Sequence, residues 1–326
     1  MEHLRVEFIE AIKKDFNLYV EENTMYEMDK VVYPKLFDVK NATGAYNSST
    51  AGIGADSLKK KPEGEKIKYS KVGEGFTVNS TWDTYSDGLE FSLENVKDMN
   101  ESKVQNLVMD KASTWNTAYL QGKDEFAANF FNYGGYTAGN DIFNGTAPGN
   151  TDSSGDLCYD GKPFLNLTGN KRPLYPNASE THFNAFALPL TETNLQTAYD
   201  KMTLDNAVNS RGQKTIITPD VLLYHPSQKW TVMTLLETAA QVDSANNNIN
   251  TVKSLLTPVE WRFLDTSTFW AIGKAKKGLK FWERQKMIFD FRRNDETKGY
   301  VADVHARYGG EVNDFRFWVG SNAPTS

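Results

Sequence analysis

The residues able to do chemistry in this 326-residue chain are few and scattered. Its four histidines, His3, His182, His225 and His305, lie far apart, and none has a second ligand two to four positions on. The spacing of a metal site is therefore absent, and they read as structural histidines. Cys158 is the only cysteine, which excludes an intrachain disulfide and a zinc site built on thiolates. Gly52-Ile53-Gly54 and Gly73-Glu74-Gly75 lack the third glycine of a dinucleotide loop, and neither leads from a strand into a helix, so both read as turns. No nucleophile elbow, phosphate-binding loop or two-histidine zinc helix occurs. The oxygen-rich run from Asn150 to Asp156 fails as a calcium loop because Gly161 stands where the bidentate Glu is required. Asp124-Glu125 would serve a hydrolase only beside a partner carboxylate in space, and reads as an exposed helix face. Lys274, Lys276, Lys277, Lys280, Arg284 and Lys286, with Phe281 and Trp282 between them, have the composition of a single-strand-binding surface. A formal charge of -6 favours instead a solvated strand face or an intersubunit contact. The sequence predicts no catalytic residue, no cofactor and no metal.

Composition narrows the class further. Hydrophobic residues at 39% and charged residues at 24% give a soluble, folded chain, and the length suits two domains or one large composite. The pI near 5.4 is the reverse of a dedicated nucleic-acid binder's. No run reaches 18 apolar residues, and Met1 to Lys14 carries Glu2, Arg5, Glu7, Glu10, Lys13 and Lys14, so neither a membrane span nor an export signal is expected. Aromatics at 13% suit large cores and the centres of protein interfaces.

The elements follow from periodicity. Leu4, Phe8, Ile12 and Phe16 line one face of an amphipathic arm, after which Tyr26 to Thr50 reads as extended chain and loop. Lys66, Ile67, Lys68 and Tyr69 read as one strand, and Phe76, Val78, Ser80 and Trp82 as the alternating face of a second, around the turn Gly73-Glu74-Gly75. This hairpin has a thin apolar face and bears Lys59, Lys60, Lys61, Lys66, Lys68 and Lys71. A lone two-stranded hairpin is marginal in water, so it must lie on another surface, either its own domain or a neighbouring subunit. Val104, Leu107, Val108, Trp115, Phe126 and Phe130 then keep helical spacing across Glu101 to Asn132, a strut of about 48 Å. Thr137 to Thr181 is loop-rich. An α+β unit follows: a helix bearing Leu195 and Ala198, strands at Thr215–Ile217 and Val221–Tyr224, a helix begun by Pro226, and short strands at Val252–Leu256, Trp261–Leu264 and Phe269–Ile272. Beyond the β character of Phe281 to Phe291, two long antiparallel strands, Tyr300–Tyr308 and Phe315–Val319, end the chain.

This order of elements resembles a tailed-phage major capsid protein of the Hong Kong 97 fold, nearest the Mu-like major head subunit family. The resemblance rests on Tyr33-Pro34-Lys35-Leu36-Phe37, Pro62-Glu63-Gly64-Glu65-Lys66-Ile67, Asp160-Gly161-Lys162-Pro163-Phe164-Leu165 and Leu190-Thr191-Glu192-Thr193-Asn194-Leu195. It continues through Ile217-Thr218-Pro219-Asp220-Val221-Leu222-Leu223-Tyr224-His225-Pro226, Leu264-Asp265-Thr266-Ser267-Thr268-Phe269-Trp270 and Asp314-Phe315-Arg316-Phe317-Trp318-Val319-Gly320-Ser321. A histidine common in the family after Asp-Gly-Lys-Pro is replaced here by Asn166-Leu167-Thr168-Gly169.

The resemblance implies an α+β fold in five parts: an N-terminal arm (1–55), an extended hairpin loop (56–90), a peripheral domain with a spine helix (91–189), an axial domain (190–289) and terminal strands returning to the peripheral domain (290–326). Lys66, Lys68, Tyr69, Lys71, Gly73, Glu74, Gly75, Phe76, Val78 and Trp82 would then meet a neighbouring subunit. The chain would assemble with itself as hexamers and pentamers into a phage head in the bacterial host cytoplasm. Portal and scaffolding or decoration proteins would be partners, DNA would be touched only weakly inside, and no membrane would be involved. With only a short segment before the hairpin, scaffolding is expected as a separate protein or the start as a processed end. An encapsulin-type compartment of the same fold, and a cytosolic glycan-processing enzyme or binding protein using exposed Trp and Tyr, are the rival readings.

Overall fold

The computed structural model describes residues 6–27, 30–53, 60–67, 69, 73–92, 94, 101–135, 158, 162–170, 172–174, 181–238 and 249–323. Leu4, Lys68, Lys71, the Asn150 to Asp156 run and most of the loop-rich stretch lie outside them, as do the side chains of Phe8 and Val78. Helix α1 (Val6–Glu27) and the short α2 (Tyr33–Leu36) lead into β1 (Asp38–Asn41), β2 (Tyr46–Ile53), β3 (Gly73–Thr81) and β4 (Asp83–Phe91). The long helix α3 (Glu101–Asn132) follows, then the two-residue strands β5 to β7 at Arg172–Pro173, Thr181–His182 and Ala185–Phe186. Next come α4 (Glu192–Asp200), β8 (Val221–Tyr224), α5 (Lys229–Glu237), β9 (Thr257–Glu260) and β10 (Trp270–Gly273). The last strands are β11 (Leu279–Arg293), β12 (Tyr300–Val312) and β13 (Trp318–Ser321).

Two sheets carry the body. The first runs β1-β11-β12-β4 and the second β7-β13-β10-β8-β9. In β12 the inward set Tyr300, Ala302, Val304, Ala306 and Tyr308 is buried while its neighbours are half-exposed, the period-two pattern of a sheet covered on one face. All four residues of β8 are buried, because helices α4 and α5 cover one face of the second sheet and the main core the other. Helix α3 ties the two sheets together. Its first half buries Val104, Val108, Ala112 and Trp115 against α1 and the far ends of β11 and β12, and its second half buries Phe126, Phe130 and Phe131 in the core between the sheets. Leu107 was expected on that buried face but is 42% exposed. At 100° per residue it falls about a quarter turn off the stripe set by Val104, Val108 and Trp115.

Several strand expectations are corrected. Gly73-Glu74-Gly75 begins β3 instead of forming a turn, and β3 pairs with Tyr46–Ile53, a stretch expected to be loop, and not with Ile67 and Tyr69. The hairpin is thus set by residues 46–81, and β4, inside the expected hairpin span, belongs to the first sheet. Thr215–Ile217, Val252–Leu256 and Trp261–Leu264 are not strands; Thr257–Glu260 is, pairing in parallel with β8. Strand β12 pairs with β11 and β4, whereas β13 joins the second sheet beside β10. The break between them is made by Asp314, whose carboxylate accepts from Arg316 N at 3.0 Å and caps a 3-10 turn over Phe315–Phe317. The expected axial boundary at 289 falls within β11, whose strand continues to Arg293.

Aromatic rings dominate the main core. Phe131 meets Trp318 at 5.1 Å between centroids, Phe164 at 5.7 Å, Trp261 at 5.9 Å and Phe37 at 6.4 Å, mostly edge to face. Helix α1 is docked by Phe16, stacked 3.9 Å from Phe289, and by Lys13, 2.5 Å from Asp290. Hydrogen bonds from Lys13, and then from Arg292, hold the Asp290 carboxyl below its ordinary value of 3.8.

Two measurements check this arrangement. Phe131→Ala should cost the unassembled subunit about 3–5 kcal/mol in urea denaturation, since the ring is wholly buried among partners from four different segments. Because Asp290 titrates lower folded than unfolded, its contribution is present above pH 3.8 and lost as the pH drops through the folded value. Acid release of α1, followed by Trp115 fluorescence, should therefore begin at higher pH in Asp290→Asn.

Candidate assembly interface

Strands β2 and β3 form a two-stranded ribbon roughly 26 Å long that belongs to neither sheet. Its pairing runs from Tyr46 opposite Thr81 at the root to Ile53 opposite Gly73, with an irregularity between Thr50 and Gly52. The Thr50 and Thr77 hydroxyls meet across the strands at 2.8 Å. Beyond its own pairing, the ribbon touches the body chiefly where the end of β3 meets β12. Toward the other end, the chain between the strands carries Ile67, 64% exposed, and Tyr69, 89% exposed.

The root is built with care. Ser80 donates to the Glu311 carboxylate, which is itself buried and accepts from Lys280 Nζ at 3.0 Å. Trp82 Nε1 donates to Gly44 O at 2.9 Å, bridging the two chains of the ribbon below their first pair, and the indole lies 5.9 Å from that of Trp282 on β11. Ala42 N donates to Glu283 O at 2.9 Å, which fixes the chain before β2 on β11. Gly309 on β12 lets the end of β3 approach, because a Cβ there would sit 2.3 Å from Thr81 O.

Beneath the root, α3 presses on the first sheet through a charged contact. Lys123 Nζ lies 2.6 Å from Glu283, and Tyr119 donates to the same carboxylate oxygen at 2.9 Å. The ammonium also sits over the rings of Tyr119 and Tyr33. Burial alone would raise the Glu283 carboxyl; Lys123 and the hydrogen bonds outweigh it and hold the group below its ordinary range. Asp124, expected on an exposed helix face, is instead 4% exposed, whereas Glu125 faces solvent. The Asp124 carboxyl accepts from Val32 N at 2.9 Å, Tyr33 N at 2.8 Å and Trp261 Nε1 at 3.0 Å, joining the N-terminal segment, the helix and the second sheet's surroundings. Burial pushes it upward. Among the described residues no group of three or more His, Cys, Asp or Glu could hold a metal ion, and no helix is long and apolar enough to cross a membrane.

The residues expected on the hairpin separate into three groups. Lys66, Tyr69 and Glu74 are exposed, and Gly73, Gly75 and Phe76 are partly covered within β3. Trp82, expected to face a neighbour, is buried in its own subunit at 5% exposure, because the alternation it shares with Phe76 runs on into the root. Of the spine residues, Val104, Val108, Trp115, Phe126 and Phe130 are buried. Within the basic run, Lys274 pairs with Asp220 and Lys280 with Glu311 while Phe281 is buried, so its charges and rings do not form one face. Sequence reasoning missed Tyr46, 67% exposed on β2, since Ser, Thr and Gly around it carry no strand-like alternation of apolar residues.

The family model described as phage capsid protein matches residues 75–321. None of the curated proteins matches the sequence. Among solved structures, that of Mycobacterium phage Patience superposes with a TM-score of 0.55 at 10% identity, covering 97% of this chain and 88% of that one. The capsid of Ralstonia phage GP4 gives 0.52 at 12% identity, with 90% and 91% covered. The capsid of cyanophage P-SCSP1u gives 0.50 at 10% identity, with 91% and 89% covered. At such identities the likeness is one of fold. The family match is to phage capsid proteins at large and does not single out the Mu-like branch.

The tight root generates a prediction. Gly309→Ala should force β3 off β12 at a cost of about 1–3 kcal/mol, leaving the body folded. Limited proteolysis should then cut between residues 42 and 82 faster than in the parent, with the far-ultraviolet circular dichroism essentially unchanged.

Proposed function

Since the chain belongs to the phage capsid protein family, we propose that it builds an icosahedral phage head as hexamers and pentamers in which the β2–β3 ribbon of each subunit lies on the next. It is a structural capsid protein of the virion and not an enzyme. The observation that carries the proposed contact is the ribbon itself: rooted at one end, exposing Tyr46, Ile67 and Tyr69, and paired with no third strand among the described residues. Covering such side chains is worth roughly 1.5–3 kcal/mol each, and a closed shell repeats the contact around every ring. Many weak identical contacts give a stable particle whose single steps stay reversible during growth.

Lys66, Tyr69, Gly73, Glu74, Gly75 and Phe76, with Lys68, Lys71 and Val78, are the candidate contact residues of the ribbon, while Trp82 holds its root. The acidic balance of the subunit suits a wall that touches packaged DNA only weakly. Assembly in the host cytoplasm with portal and scaffolding or decoration proteins as partners completes the proposal. The encapsulin-type and glycan-processing readings are not favoured, because the family match is to phage capsid proteins.

Ile67→Asp combined with Tyr69→Asp tests the contact. The subunit should keep its circular dichroism and urea midpoint, while particles seen by electron microscopy and sedimentation fall by about tenfold or more. Shells at the parent's yield would refute the role given to the ribbon.

A further inference from the structure

Among the described residues, a second surface with exposed apolar side chains lies on the helical side of the second sheet. A groove of about 460 Å³ opens between the start of α4 and α5, lined by Leu190, Trp230, Thr231, Thr234 and Leu235; among the described residues its one charged wall residue is Glu192, whose carboxylate accepts from the Thr251 hydroxyl at 3.0 Å. Trp230 is 74% exposed there. At the far end of α4, a π-turn over Lys201–Asp205 is closed by Asn206 N donating to Lys201 O at 2.9 Å. The chain then folds back, Val208 bridging Lys214 and Thr215 N donating to Ala207 O at 2.8 Å. This fold sets Ile216, 93% exposed, at the end of the helix opposite the groove, with Lys214 two residues away.

From Glu192 to Asp205 the helical path is roughly 20 Å, so knob and groove on one subunit cannot meet each other. They are complementary nonetheless: a branched apolar side chain with a lysine beside it, and an apolar groove with a glutamate on its wall. We propose that Ile216 of one copy seats in the Trp230–Leu235 groove of the next, with Lys214 facing Glu192. The contact is head to tail, the kind that closes into a ring. One such patch buries far less than the ~1,200 Å² a stable binary complex needs, so it holds only where a ring repeats it, which makes another copy of this chain the occupant. The inference deepens the shell assembly proposed above and rests on it.

Paired cysteines at exposed positions test it: Thr215→Cys with Thr231→Cys, in a chain whose own Cys158 is buried. Oxidised shells should give a ladder of covalent multimers on a denaturing gel, and each single variant none. Shells that assemble but give no ladder, or only an intrachain bond, would overturn the contact while leaving the capsid assembly standing. Failure of the unmodified chain to form shells would instead overturn the assembly itself. If the double variant does not assemble, charge reversal decides. Lys214→Glu should weaken assembly by up to about fivefold per contact and Glu192→Lys in the same chain should restore it; absence of rescue overturns the pairing.

Discussion

A two-stranded ribbon exposes both faces and both outer edges, so in water it stays ordered only where other atoms cover it. The rest of this molecule is arranged around that constraint. The ribbon leaves the body between β1 and β4, two strands already fixed in the first sheet, so neither of its ends is free. Ser80 on Glu311, Trp82 on Trp282 and Ala42 on Glu283 all converge on β11 and β12. Beyond the root, Phe76 is partly covered within β3, while Tyr46, Ile67 and Tyr69 are exposed.

The body meets this demand through α3. One helix of 32 residues serves both sheets, its first half backing the strands that carry the ribbon and its second half forming the aromatic core shared with the second sheet. Lys123 and Asp124, adjacent in sequence, point to different partners: the first to Glu283 on β11, the second to the N-terminal segment and Trp261. Buried charges of this kind contribute little net stability, but breaking one leaves its partner stranded, so they fix how the parts are placed.

The sequence is most legible where burial is one-sided or complete. The alternation of β12 and the apolar run Val221–Tyr224 each have a single structural solution, a sheet covered on one face and a strand covered on both. The ribbon was legible as a hairpin but not in its pairing. Tyr46–Ile53 and Gly73–Thr81 are rich in Ser, Thr, Asn and Gly, and with no buried face to dictate register the choice of partner strand rests on the root, whose residues come from β11 and β12 more than 200 positions away. Asp124 was misplaced for the same reason: Val32, Tyr33 and Trp261, which bury and satisfy it, are distant in sequence. Overall architecture and family were readable from the order of elements, while the uncovered groove and knob on the second sheet's helices carry no local signature, since exposed Ile216 and Trp230 look like core residues in any window of sequence.

Strand β3 passes through Trp82 directly into β4, and β4 lies antiparallel along β12 from Asp83 to Phe91. A pull on the ribbon along its axis is therefore taken by the whole β4–β12 ladder at once, with its bonds loaded side by side in shear and not opened one after another. In the proposed shell, internal pressure would stretch each joint along its strongest direction, so that the two strands proposed to lie on a neighbour would also act as the tie rod between subunits.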